Sequence, residues 1–293
     1  MLNYDVVILG SGVAGMTAAI YLRRAGIQTL IIENDTPGGQ MNKSFCIENY
    51  PGFKSIDGPS LAYNIYSQVL ELKTDYLFSN IESVDLKKKK IITNKKEVKY
   101  RYLIISTGRS PRKLDLKNEE KLLGRGISYC ALCDGNLYKN KNVIVVGGGN
   151  SALEEALYLS GICNKVTLIH RKDIFNAEKV LIDKVTKNKK IDIIYNANLI
   201  NYNIKDNKLV SVSLDTKKKI KTDGVFISIG YVPNSSLFEV KKERNYILTY
   251  TNYVTSMKSV YACGDIIKKD TYQITTAIGE AAVVANKIIK LLK

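Results

Sequence analysis

Tyr4-Asp5-Val6-Val7-Ile8-Leu9 runs directly into Gly10-Ser11-Gly12-Val13-Ala14-Gly15, and the fold follows from this junction. The first six residues are β-branched and apolar, the pattern of a strand that a parallel sheet buries on both faces. A helix-like stretch follows over 16–24, then Gly26, then a second strand over 29–32 that ends at Glu33. Gly10, Gly12 and Gly15 let backbone N–H groups at a helix N-terminus approach a pyrophosphate, and Glu33 stands where an acid can accept from a ribose hydroxyl. A glycine pattern alone says little. Strand, glycines, helix, strand and acid in register predict a dinucleotide-binding fold.

The same architecture recurs from Asn142. Val143-Ile144-Val145-Val146 leads into Gly147-Gly148-Gly149-Asn150-Ser151-Ala152, with alanine in the place of the third glycine, and a helical stretch over 153–159 follows. The next strand, Val166-Thr167-Leu168-Ile169, ends in His170-Arg171-Lys172 where the first copy has Glu33. An acid there repels a 2′-phosphate and cations attract it. The first site therefore suits FAD and the second NADPH, although Arg171 and Lys172 also fit a solvated strand end. The chain is expected to be an α/β protein with two Rossmann-like domains. Two nucleotide sites in one chain imply electron transfer between two cofactors.

Composition narrows the setting. The chain of 293 residues is 45% hydrophobic and 25% charged, as in a globular protein, and no apolar run reaches the roughly 18 residues of a membrane span. No basic region or cleavage site precedes the first strand, so a cytoplasmic protein is expected. The net charge of +16 would suit a nucleic-acid or membrane surface. The lysine runs 87–90 and 217–219 lack interleaved aromatics, however, and read as a general lysine bias that can steer an acidic protein partner. Five cysteines, an odd number, argue against a disulfide framework. Cys46, Cys163 and Cys263 stand alone and read as inert buried thiols.

Only Cys130 and Cys133 form a close pair, in Ser128-Tyr129-Cys130-Ala131-Leu132-Cys133-Asp134-Gly135. Such a pair alone is a tight disulfide, a metal knuckle or an accident of composition. No second pair exists and His170 is the single histidine, so no metal site is expected. Set between two nucleotide folds, the pair reads as redox-active, with Asp134 beside it as proton donor and acceptor.

Here the sequence resembles the low-molecular-weight, bacterial-type thioredoxin reductases over nearly its whole length. Gly38-Gly39-Gln40 and Glu48-Asn49-Tyr50-Pro51-Gly52 resemble the family's flavin-contacting loops, and Ser106-Thr107-Gly108 its small-Thr-Gly strand end. Residues 130–135 match its active-site loop, with Leu132 where the family commonly has Thr. Gly147 to Ala152, followed by Glu154-Glu155 and the basic triplet, resemble its NADPH site. Ile229-Gly230 with Pro233-Asn234 resemble the end of that domain. Ala262-Cys263-Gly264-Asp265 resemble the segment whose aspartate holds the flavin ribityl chain, and Gln273-Ile274 fall at the isoalloxazine-contacting stretch.

The resemblance implies a discontinuous FAD domain, 1–113 plus 241–293, with the NADPH domain 114–240 inserted and carrying the redox pair. It implies a homodimer, rotation between the domains, and thioredoxin or a thioredoxin-like protein as partner, not nucleic acid or a membrane. In this pattern hydride passes from NADPH to flavin, Cys133 is the flavin-side sulfur, Cys130 attacks the partner disulfide and Asp134 protonates the departing thiolate. Two departures bear on it. Asn176 and Lys172 replace arginines of the family's 2′-phosphate pattern, which weakens the expected preference for NADPH over NADH. Tyr272 replaces the arginine that commonly precedes Gln273. NADH or ferredoxin as donor, or another small redox protein as partner, are the alternatives.

Overall fold

The structure, a computed structural model, describes residues 1–43, 47 and 49–293, with the side chain of Cys133 also outside the described part. The chain divides into two units, Met1–Ser110 with Val232–Lys293, and Pro111–Tyr231.

In the first unit the opening apolar run becomes the strand Leu2–Leu9, whose Val6, Val7, Ile8 and Leu9 are fully buried. It pairs in parallel with Thr29–Glu33 on one side and Glu97–Ile105 on the other. Among the described residues the sheet runs Asp75–Phe78, Thr29–Glu33, Leu2–Leu9, Glu97–Ile105, Lys90–Thr93, Ile81–Asp85, with Val260–Ala262 also joined to Glu97–Ile105. The helix Val13–Arg24 buries Ala14, Met16, Ala18, Ala19 and Leu22. It packs on the C-terminal helix Ile274–Leu292, whose Ala277, Ala281, Val284, Ala285 and Ile288 form one stripe at helical spacing. Gln273 caps that helix through a reciprocal pair of bonds with Thr276.

The second unit repeats the design. Its parallel sheet runs Ile191–Ile194, Lys165–Ile169, Asn142–Gly147, Gly224–Ser228, Ile127–Ser128. Val143 and Val145 point into a cluster with Ala152, Leu153, Ala156 and Leu159 of the helix Asn150–Ile162. Ile144 and Val146 face the other way, onto Leu199, Tyr202, Val212 and Leu214 of an antiparallel sheet, Leu199–Lys205, Lys208–Leu214, Lys219–Lys221. Burial on both faces is why the strand reads as an unbroken apolar run and not as an alternation.

The chain crosses between the units at 110–111 and 231–232, against the expected 113 and 240. The second difference has a clear cause. Asn234 donates its N–H to the Gly108 carbonyl at 3.0 Å and its amide to the Thr107 carbonyl at 2.8 Å, while the Thr107 hydroxyl donates to the Asn234 carbonyl at 2.9 Å. Four residues on, Phe238 is buried with Val7, Leu9, Leu103 and Ile247 in the first unit's core. Phe238→Ala is therefore expected to cost about 3–5 kcal/mol. Hydrogen exchange should speed up in Leu2–Leu9 and Glu97–Ile105 and stay unchanged in Asn142–Gly147.

Candidate functional site

The first glycine turn is built by close approach. Gly10 has φ +97°, and a Cβ on it would stand 2.6 Å from the Ser106 carbonyl oxygen; one on Gly15 would stand 2.0 Å from the Gly10 carbonyl oxygen. Gly12 differs: a Cβ there would meet nothing within 4 Å. The helix it precedes has no side-chain cap, so its N-terminal donors face the open side of the turn. That is the fit expected for a pyrophosphate.

The other expected flavin residues gather around this turn. Glu33 accepts the Ser11 N–H at 2.6 Å through one oxygen and the N–H groups of Asn34 and Asp35 at 2.8 and 3.0 Å through the other, which fixes its carboxylate. Gly38 donates to the Ser11 carbonyl at 2.8 Å, and a Cβ on Gly39 would lie 3.3 Å from the Gly12 Cα, so this loop lies against the glycines. Gln40 donates to the Arg109 carbonyl at 3.0 Å, next to Thr107 and Gly108. Gly264, at φ +81°, abuts Ala14, and Asp265 after it pairs with Arg109 at 3.1 Å. Asn49 donates to the Gln273 side chain at 3.1 Å, joining the second loop to the start of the C-terminal helix at Ile274. Glu48 and Cys46 lie outside the described residues.

The second glycine turn has a different floor. A Cβ on Gly148 would overlap the His170 ring, 2.1 Å from Nδ1. His170 is buried, its Nε2 lies 3.0 Å from the Ile174 carbonyl oxygen, and it packs on Phe175. It supports the turn from inside, while Arg171 and Lys172 are exposed. Asn176 donates its N–H to the Gly148 carbonyl at 2.8 Å, and Asn150 exchanges side-chain hydrogen bonds with Glu178 at 3.0 and 2.8 Å. Gly147 and Ala152 meet at the crowded base of the turn; Gly149 and Ser151 border its open side.

In the same unit Cys130 is buried and disulfide-bonded, at the start of the short helix Ala131–Asp134 that carries Cys133. Its N–H donates to the Ser128 hydroxyl at 2.9 Å, and its carbonyl accepts the Asp134 N–H at 3.2 Å. Gly135 lies against Tyr158, Leu159 and Ile162 of the helix Asn150–Ile162, where a Cβ would stand 3.0–3.2 Å from their side-chain carbons. Glu155 of that helix, expected at the cofactor, lies by the redox loop, where Ala131 and Ser228 favour its charged form, yet its Oε2 is buried with no hydrogen-bond partner among the described residues. Burial pushes this carboxyl up to about 8, with the neighbouring Glu154 adding to the shift. Cys163 and Cys263 are buried free thiols; burial pushes Cys163 up to about 11 and Cys263 higher still. Among the described residues no group of three His, Cys, Asp or Glu is placed to hold a metal, and no helix is long and apolar enough to cross a membrane.

Sequence reading missed Arg109 and Lys269, which pair with Asp265 in the first unit, and Glu280, which pairs with Lys269. Only Glu280 left a trace, as a lone acid in the apolar stripe of the C-terminal helix.

Two nucleotide-type turns and a buried, disulfide-bonded cysteine define a nucleotide-linked disulfide oxidoreductase. The chain matches the pyridine nucleotide-disulphide oxidoreductase family over residues 4–281 and belongs to it. Within that family it is one of the low-molecular-weight, bacterial-type thioredoxin reductases: it is 41% identical to a thioredoxin reductase of Bacillus subtilis, over 97% of this chain and 93% of that one. Its structure is similar to those of the Lactococcus lactis thioredoxin reductase (TM-score 0.91, 37% identity, 99% of both chains) and the T. acidophilum thioredoxin reductase (TM-score 0.89, 32% identity, 100% and 99%).

Two outcomes follow from this geometry. Gly12→Ala should fold with unchanged stability yet weaken flavin uptake by roughly tenfold or more, because the new methyl enters only the open side of the turn; flavin fluorescence on reconstitution measures it. Glu155 has a folded pKa above its unfolded one, so the stability it allows at low pH is lost as pH rises from about 4.5 through 8. Glu155→Gln should therefore be more stable than the parent at pH 9, by about 2–4 kcal/mol, with little difference at pH 4. Urea melts at both pH values check this.

Proposed function

We propose that the chain reduces the disulfide of thioredoxin, or of a thioredoxin-like protein, with electrons from NADPH passed through FAD and the Cys130–Cys133 pair. The observation that carries the reading is the disulfide-bonded Cys130 seated on a nucleotide-binding unit of a chain that holds a second such unit. FAD, when bound, would relay to the pair the two electrons that NADPH supplies as a hydride. Gly10, Gly12, Gly15, Glu33, Gly39, Gln40, Asn49, Thr107, Gly108, Gly264, Asp265, Gln273 and Ile274 would hold the first; Gly147, Gly149, Asn150, Ser151, Ala152, Arg171 and Lys172 the second. Each turnover adds two electrons and two protons to the pair. Cys130 then attacks the partner's disulfide as the thiolate, and the mixed disulfide is resolved by Cys133. Asp134 supplies the proton to the departing thiolate.

NADH has one observation in its favour. With His170 turned inward and Asn176 tied to the Gly148 carbonyl, Arg171 and Lys172 are the cations left at that strand end for a 2′-phosphate. A homodimer through the first unit fits the exposed Tyr21, Tyr63, Leu70 and Val283 on its helices, and a cytoplasmic setting fits a dithiol kept reduced.

Anaerobic titration with NADPH, then NADH, followed by flavin absorbance, tests the donor; oxidised thioredoxin is added afterwards. NADPH should bleach the flavin and thioredoxin should restore it. Cys130→Ser should keep the bleaching and lose turnover of thioredoxin by about a thousandfold or more. Thioredoxin reduction surviving Cys130→Ser would refute the electron path.

A further inference from the structure

Glu280 sits in the apolar stripe of the C-terminal helix beside Ala277, Ala281 and Val284, and is 6% exposed. A carboxylate in such a position costs free energy unless it is paired and hydrogen-bonded. Here it is both. One oxygen accepts the Gly264 N–H at 2.7 Å, and both face the Lys269 ammonium, at 2.9 and 3.1 Å. Burial pushes the Glu280 carboxyl up, while Lys269 and the Gly264 N–H pull it back.

Lys269 is itself a junction. Its ammonium also lies 3.7 Å from one oxygen of Asp265 and 5.4 Å from the centre of the Tyr272 ring. Arg109 approaches the other oxygen of Asp265 at 3.1 Å, and its guanidinium carbon lies 4.6 Å from the same ring. Asp265 is thus flanked by two cations, each against Tyr272, and one of them is anchored by a buried carboxylate on another element. The turn so held has little slack, since a Cβ on Gly264 would stand 2.9 Å from that of Ala14 in the first glycine turn.

We propose that Glu280 and Lys269 are positioning residues for the flavin, a buried ion pair that fixes Gly264 and aims Asp265 at the bound group. The inference rests on the flavin reading above. An apolar pair of the same volume would pack as well but would tie neither the Gly264 N–H nor the Asp265 carboxylate to the helix.

The test is FAD affinity, measured by flavin fluorescence on reconstitution from pH 5.5 to 9, with the thermal stability of the flavin-free protein as control. Lys269→Met leaves a lone buried carboxylate, so FAD should bind at least about tenfold more weakly at pH 9 and recover toward pH 5.5 as Glu280 takes a proton. The other groups that face Glu280 are Asp265, Tyr253 and Cys263, and burial holds the tyrosine and the thiol neutral across this range. The double variant Glu280→Gln with Lys269→Met keeps an acceptor for Gly264 and buries no charge. It should lose the pH dependence and recover part of the affinity, yet stay about threefold or more below the parent, because Asp265 has lost its Lys269 contact. Parent-like affinity of Lys269→Met at every pH, or a stability loss with no change in FAD affinity, would overturn the proposal. Failure of the unsubstituted protein to take up FAD would remove the flavin reading, and this inference with it.

Discussion

Both units depend on one steric constraint, the approach of backbone to backbone at the turn between the first strand and its helix. At Gly10 and Gly15 the neighbouring carbonyl oxygens stand where a side chain would begin, and the same is true of Gly147 against Ser228. These contacts bring each helix up to the end of its sheet with its first N–H groups unspent on side-chain caps. Everything assigned to nucleotide binding is arranged around the donors so exposed. In the first unit Glu33, Gly39 with Gln40, and Asp265 come from three separate stretches of chain. In the second the equivalent space is bordered by Asn150, Ser151, Arg171 and Lys172.

This constraint is written in local sequence, which is why the fold was legible there. A strand buried on both faces, a glycine turn and a helix follow one another without a break, and each leaves its own periodicity. The links among distant segments were not legible in that way. Phe238 and Asn234 join the first unit through contacts with Leu103, Thr107 and Gly108, far away in sequence, and the boundary implied by the resemblance lies nine residues beyond the division between the units. Arg109 and Lys269 look like ordinary surface cations until the fold brings both to Asp265.

His170 shows a subtler limit. Its position at the end of the strand Lys165–Ile169 is where a phosphate-binding cation is expected, and Arg171 and Lys172 do face solvent there. Strand alternation turns the first residue of the triplet inward, and the absence of a side chain at Gly148 makes room for its ring. The glycine and the histidine form one unit of packing: Gly148 is small because His170 lies beneath it. Reading the triplet as three equal cations overlooks this alternation.

The helix Asn150–Ile162 ties the second nucleotide turn to the redox loop. Its N-terminus borders the turn, Glu155 lies by Ala131, and Tyr158, Leu159 and Ile162 flank Gly135. From Asn150 to Glu155 is about 8 Å along the helix axis. The disulfide-bearing helix and the nucleotide turn are therefore held at a fixed separation by one rigid element, packed on its sheet through Leu153, Ala156 and Leu159. Bending within this unit would open the packing around Gly135. Any motion that serves the nucleotide turn and the disulfide in turn therefore does not come from within this helix.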